Sequence, residues 1–219
     1  MVDGPVNRLP LLWSFAFASS LPRGLLRDSS PHVAWMLDSG AHSMRRGVFT
    51  AGIADYIAFV RENLPYLWRW IMLDIPNDTR ATLENWRTFR DAGLSPMLVV
   101  TVDGNIDEAY TESIAEAEDI CVAGGVTLRD QDYHPRVSRV RTLCGDKWLH
   151  ALGYSRGQMA SAYPIDSLDS SSHSYGFRSS VIALYSPMFG LTWIDRIKVF
   201  SGKRVLPNRI AILADREEI

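Results

Sequence analysis

Three aspartates stand where an α/β chain usually places its chemistry. Asp38, Asp74 and Asp169 each follow directly on apolar residues, in Met36-Leu37-Asp38-Ser39-Gly40-Ala41, Met72-Leu73-Asp74-Ile75-Pro76 and Ser167-Leu168-Asp169-Ser170. A carboxylate in such a place costs free energy unless it is solvated, hydrogen-bonded or paired, so several at equivalent places invite a functional explanation. Two carboxylates in one pocket suit displacement at a sugar carbon: one attacks C1′ to form a glycosyl intermediate and the other moves protons. Like charges at close range also drive their proton affinities apart. Taken singly, an aspartate before Ser-Gly or Asn is equally a turn or capping residue. The three together favour a site.

Other chemistry is narrowed by residue type. Gly124-Gly125 follows the run Ile120-Cys121-Val122-Ala123 and is either a plain strand-to-loop turn or a place where backbone approaches a flat ligand. The five histidines, His32, His42, His134, His150 and His173, have no metal-ligand spacing, so no metal and no cofactor are expected. Cys121 and Cys144 cannot build a disulfide framework, which points to a reducing, cytoplasmic setting.

The elements that must position these residues come from periodicity. Seven apolar runs read as strands: Leu11 to Ala18, Val33 to Asp38, Trp70 to Ile75, Pro96 to Val102, Ile120 to Ala123, Trp148 to Leu152 and Ile165 to Asp169. Most are apolar at consecutive positions, as strands covered on both faces are. Helices are expected between them: Ile53, Tyr56, Ile57 and Val60 repeat at helical spacing, as do Leu83, Trp86 and Phe89 up to Gly93. Ile106 to Glu118, Pro135 to Leu143, Gln158 to Tyr163 and a terminal Arg209 to Glu217 complete the set.

Strand and helix in alternation predict an α/β fold, either an open doubly wound sheet or a (β/α) barrel of the TIM type, with the functional groups at the carboxyl ends of the strands. No Gly-x-Gly-x-x-Gly follows a strand, which weakens the dinucleotide-binding version. After Asp169 the pattern fades into a serine-rich stretch, and Val181 to Leu184 and Trp193 to Phe200 are ambiguous, leaving an eighth strand open. With no repeat and no linker, residues 1–219 read as one domain.

Composition agrees with a packed core and excludes a disordered chain: 47% of the 219 residues are hydrophobic and 22% charged. No segment approaches the ~20 apolar residues of a membrane helix. The net charge of -2 carries no polyanion signature, yet 20 of the 23 basic residues are arginine. Codon usage is the simpler account; the alternative is that arginine forks grip phosphates and base edges.

The order of these motifs resembles the tRNA-guanine transglycosylase superfamily, and within it the phage and bacterial enzymes that insert 7-deazaguanine bases into DNA. The resemblance spans roughly Val33 to Arg178 and is carried by Asp38-Ser39-Gly40-Ala41, Leu73-Asp74, Ala123-Gly124-Gly125-Val126, Leu149-His150-Ala151-Leu152-Gly153 and Leu168-Asp169. It implies a barrel fold, a DNA partner, and exchange of guanine for a free 7-deazaguanine of the preQ0 type. It implies Asp169 as nucleophile and Asp38 as the proton-handling carboxylate, with Ser39 and Gly40 shaping the pocket floor. Asp74 would read the base edge with backbone help from Gly124, Gly125 and Val126, and Gly153 would line the wall.

Two departures from the family pattern stand out. His42 occupies the place of the usual aromatic residue, so an imidazole would stack on the base or the pocket differs. The cysteine and histidine zinc site of the tRNA-acting enzymes has no counterpart among Cys121 and Cys144, which counts against a full tRNA enzyme. Arg45, Arg46 and Arg178 follow the loops of Asp38 and Asp169 and are the expected contacts to a nucleic-acid backbone. An RNA transglycosylase, a non-catalytic nucleic-acid or partner-binding barrel, and a phosphosugar enzyme remain as alternatives.

Overall fold

The structure, a computed structural model, describes residues 8–20, 24–76, 78–102, 106–124, 130–153, 165–169, 181–186 and 190–195. Seven strands are parallel: β1 (Leu9–Ser14), β2 (Val33–Asp38), β3 (Leu67–Trp70), β4 (Leu98–Thr101), β5 (Asp119–Ala123), β6 (Trp148–Ala151) and β7 (Ser167–Leu168). They form a three-stranded sheet β1-β2-β3 and a four-stranded sheet β4-β5-β6-β7. A parallel bridge between Ile71 and Met97 joins the two, with the Met97 N–H donating to the Trp70 carbonyl at 2.8 Å. Spatial order therefore follows chain order from β1 to β7. A doubly wound sheet reverses its order at a switch point, and this one does not. Among the described residues β7 does not pair with β1, so no closed barrel is seen.

Helices fill the crossovers: α1 (Leu25–Ser29), α2 (Ala41–Arg45), α3 (Ile53–Asn63), α4 (Thr79–Asp91), α5 (Glu108–Glu116) and α6 (Asp130–Cys144). Two of their starts are set by short acidic side chains. Asp78 accepts from the Ala81 N–H at 2.9 Å and Asp107 from the Tyr110 N–H at 3.0 Å, each satisfying an orphan donor of the first turn. Tyr56 on α3 is fully buried and its hydroxyl donates to the Ile71 carbonyl at 2.7 Å, tying that helix to the sheet just before Asp74. Phe15, Phe59, Trp70 and Phe89 pack around or beside it as an aromatic cluster.

Several boundaries differ from those expected. The third strand is Leu67–Trp70 and shares only Trp70 with the expected Trp70 to Ile75; it starts early because Arg69, which breaks the apolar run, is neutralised in place, and beyond it only Ile71 bridges to the next sheet. Its guanidinium pairs with Asp119 at 2.7 Å and lies 4.3 Å from the ring centres of both Trp68 and Trp148. The first strand ends at Ser14 and gives way to a 3₁₀ turn over Phe15–Ser20. α6 begins before Pro135, which lies inside the helix just past its first turn and gives up the one intrahelical bond its N–H would have made.

Residues 181–186 and 190–195 form an antiparallel pair, β8 (Val181–Ser186) with β9 (Gly190–Asp195), rather than an eighth parallel strand. Only three residues separate them, too few for the crossover that parallel pairing requires. The expected helices at Gln158 to Tyr163 and Arg209 to Glu217 lie outside the described residues. Among the described residues no helix is long and apolar enough to cross a membrane.

Much of the arginine is structural. Arg61 donates to the Ala92 carbonyl at 2.8 Å, Arg139 to the Ile106 carbonyl at 3.1 Å, and Arg136 to the Val102 carbonyl. Arg141 donates to the carbonyls of Gly145 and Lys147 and pairs with Asp166. These forks satisfy carbonyls near the ends of helices and strands, where the regular ladder stops.

Candidate functional site

The carboxyl ends of the parallel strands carry the three aspartates. Asp38 is the last residue of β2, level with Ser14 on β1, and its Oδ2 accepts from the Gly40 N–H at 3.1 Å. Ser39 is fully buried, with its Oγ 3.4 Å from the Ala41 N–H. Gly40 turns the chain at φ +80°, and a Cβ there would stand 3.0 Å from both the Cβ and the backbone nitrogen of Ala16. Two constraints, left-handed backbone and close approach to the 3₁₀ turn, thus require glycine beside Asp38. Gly40→Ala is expected to destabilise the fold by about 1–3 kcal/mol. Urea unfolding checks this, and an unchanged midpoint would show that the turn yields without cost.

Asp74 is buried four residues past β3. The loop that follows is pinned to α4: Thr82 Oγ1 accepts from the Ile75 N–H at 2.9 Å and donates to the Ile75 carbonyl at 3.1 Å, and Asn85 Nδ2 donates to the Leu73 carbonyl at 2.9 Å. Asp74 is therefore held on rigid backbone.

Asp169 follows β7 directly. Its Oδ1 accepts from the Gly153 N–H at 2.7 Å and lies 3.3 Å from His150 Nε2, while its own N–H donates to the Ala151 carbonyl at 3.2 Å. The Asp169 side chain is 19% exposed and the imidazole 3%, so the carboxylate is the more accessible member of the pair. His150 Nδ1 in turn lies 2.8 Å from Ser167 Oγ, which accepts from Trp148 Nε1 at 3.0 Å.

The charges of the three carboxylates reach the same buried groups. Burial pushes the Cys121 thiol well above its ordinary range, and the charges of Asp169, Asp74 and Asp38 push it further. Tyr56 is raised in the same way by burial and then by Asp38 and Asp74. Asp38 itself is raised, first by burial and further by the charge of Asp169; the Ser14 hydroxyl, the Gly40 N–H and His150 act against that. A carboxyl whose proton affinity is raised close to a second carboxyl suits the proton-transfer half of a displacement.

The remaining expected residues divide. Gly124 follows β5 directly at φ +89°, whereas Gly125, Val126 and Arg178 lie outside the described residues. Gly153, expected in the pocket wall, contributes its N–H to Asp169. His42 is exposed on α2. Arg45 and Arg46 are exposed at the end of that helix and form no ion pair among the described residues. No group of three or more His, Cys, Asp or Glu among the described residues is placed to hold a metal ion.

Sequence reasoning missed His150 as a site residue, along with Ser167 and Trp148. The signal was a single titratable residue inside the apolar run Trp148-Leu149-His150-Ala151-Leu152, two positions from either end.

No family model matches the chain, and no curated protein matches it. Among solved structures, a protein from Aquifex aeolicus VF5 is similar over 76% of this chain and 73% of its own, at 14% identity and a TM-score of 0.45.

Proposed function

We propose that this protein is a base-exchange enzyme that replaces guanine in DNA with a 7-deazaguanine of the preQ0 type. The observation that carries the reading is the placement of Asp38, Asp74 and Asp169 after parallel strands, where their charges reach the same buried thiol of Cys121, with Asp38 raised and Asp169 partly exposed. The singly wound strand order supports a (β/α) barrel for the finer fold, with residues 1–219 as one domain. Two free, buried thiols support a cytoplasmic setting.

The chemistry follows from those assignments. A carboxylate oxygen of Asp169 attacks C1′ of a flipped-out deoxyguanosine, and the C1′–N9 bond breaks with its electron pair passing to the base. Protonated Asp38 supplies the proton the departing guanine needs. The incoming 7-deazaguanine then gives its N9 proton to the Asp38 carboxylate and attacks C1′, which expels Asp169 and restores both groups. Asp74, rigid and buried, reads the base edge, and exposed Arg45 and Arg46 face the phosphates.

Nucleoside mass spectrometry of DNA, and of RNA in parallel, after incubation with the protein and preQ0 tests the reading. Incorporation into DNA is expected. Incorporation into RNA alone transfers the same chemistry to the other polymer, and incorporation into neither sinks base exchange.

Binding should also depend on salt. Replacing Arg45, Arg46 and Arg178 by alanine is expected to weaken DNA binding alike across sequences and to shallow the slope of log K against log salt by about one unit for each phosphate no longer neutralised. Titration of labelled duplex at several salt concentrations measures both. Unchanged affinity and slope would leave these arginines as ordinary solvated side chains.

A further inference from the structure

We propose that His150 is the positioning residue of Asp169, fixed with its hydrogen on Nε2 by a relay through Ser167 to Trp148, and that it leaves Asp169 Oδ2 as the attacking oxygen. The proposal rests on the base-exchange reading for its chemistry, but its geometry stands by itself.

The relay can be followed hydrogen by hydrogen. Trp148 Nε1 is a donor only, and it occupies one lone pair of Ser167 Oγ at 3.0 Å. Ser167 keeps its own hydroxyl hydrogen, and 2.8 Å away is His150 Nδ1. On the other side of the ring, Nε2 faces an oxygen of Asp169 at 3.3 Å. A carboxylate offers only lone pairs, so a bare Nε2 would set lone pair against lone pair. The hydrogen of a neutral ring therefore sits on Nε2, turned toward the carboxylate, and Nδ1 is left to accept from Ser167.

His150 is 2% exposed, too buried to meet a substrate directly. Its Nε2 has no acceptor in hydrogen-bonding alignment, and its ion-pair neighbour is Asp169. Both contacts to the carboxylate, from His150 and from the Gly153 N–H at 2.7 Å, fall on Oδ1. Among the described residues Oδ2 accepts no hydrogen bond. A carboxylate held by one oxygen presents the other at a fixed angle, which is what attack in line with a breaking bond requires. The separation of 3.3 Å is long, as catalytic hydrogen bonds often are before substrate binds.

Ser167 is the place to test this, because it touches the ring and not the carboxylate. In the full chain with ¹⁵N-labelled histidine, the wild-type ring is expected to carry hydrogen on Nε2; a ring with Nε2 bare overturns the proposal. Ser167→Ala should disturb that ring signal and the Asp169 carboxyl ¹³C shift, and Ser167→Thr, which keeps the hydroxyl, should restore both. In base exchange, Ser167→Ala is expected to lower kcat about threefold to tenfold, the worth of one hydrogen bond, with KM within about twofold, and Ser167→Thr to recover it. A merely structural serine would move stability and leave the kcat to KM split and the carboxyl shift alone, which also overturns the proposal. If the wild type exchanges no base, the base-exchange reading falls, and the ring hydrogen and the carboxyl shift still decide the relay.

Discussion

Replacing Asp169 by asparagine is expected to abolish base exchange, by about four orders of magnitude or more in kcat, while leaving the fold intact. The amide has the carboxylate's shape and its carbonyl oxygen can still accept from the Gly153 N–H, so β7 and the Gly153 turn stay joined. It has no anionic oxygen to form a bond to C1′. Guanine release should vanish with exchange, because the first displacement is the step removed. Exchange assays and denaturing gels of enzyme with labelled DNA check this. A covalent DNA adduct trapped on the asparagine variant, or turnover near normal, would take Asp169 out of the nucleophile's role.

Asp38→Asn is expected to fail differently. The nucleophile remains, but the departing guanine loses its proton donor and the incoming base its acceptor, so kcat should fall about 10²- to 10⁴-fold. A covalent species should still be detectable on gels, formed slowly and resolved slowly. The same variant carries a stability signature whose sign is set by the raised proton affinity of Asp38. A carboxyl raised in the folded state binds its proton more tightly there than in the unfolded chain. Its contribution to stability is full below its unfolded value and is lost as pH rises through the folded one. The wild type should therefore lose part of its stability as pH climbs above the ordinary carboxyl range. The Asp38→Asn variant, whose amide never ionises, should escape that loss. Melting temperatures of the two proteins at about pH 4 and about pH 7 are expected to differ more at the higher pH, with the variant the more stable. An equal gap at both values would show that Asp38 folds with an ordinary proton affinity.

Local pattern carried the parallel architecture a long way. Buried strands need apolar residues on consecutive positions, so β2, β4, β5 and β6 could be placed from the chain to within about two residues. The aspartates at strand ends were legible for the same reason, since a charge that stops an apolar run is conspicuous. What pattern could not supply was pairing across distance. Arg69 interrupts β3 and reads as a strand breaker until Asp119, 50 residues on, and the rings of Trp68 and Trp148 are brought to it. His150 shows locally only as a titratable residue inside an apolar run; its meaning comes from the register that sets it level with Ser167 and from the turn that brings Asp169 to its other nitrogen. The arginines show the same division: composition displays their number, but only the packed chain separates those that clamp carbonyls, such as Arg61 and Arg139, from Arg45 and Arg46, which stay exposed. Periodicity records which face of an element is covered, whereas the partner of a charge or a ring nitrogen is chosen by contacts between segments far apart in the chain, and those exist only once the sheet has assembled.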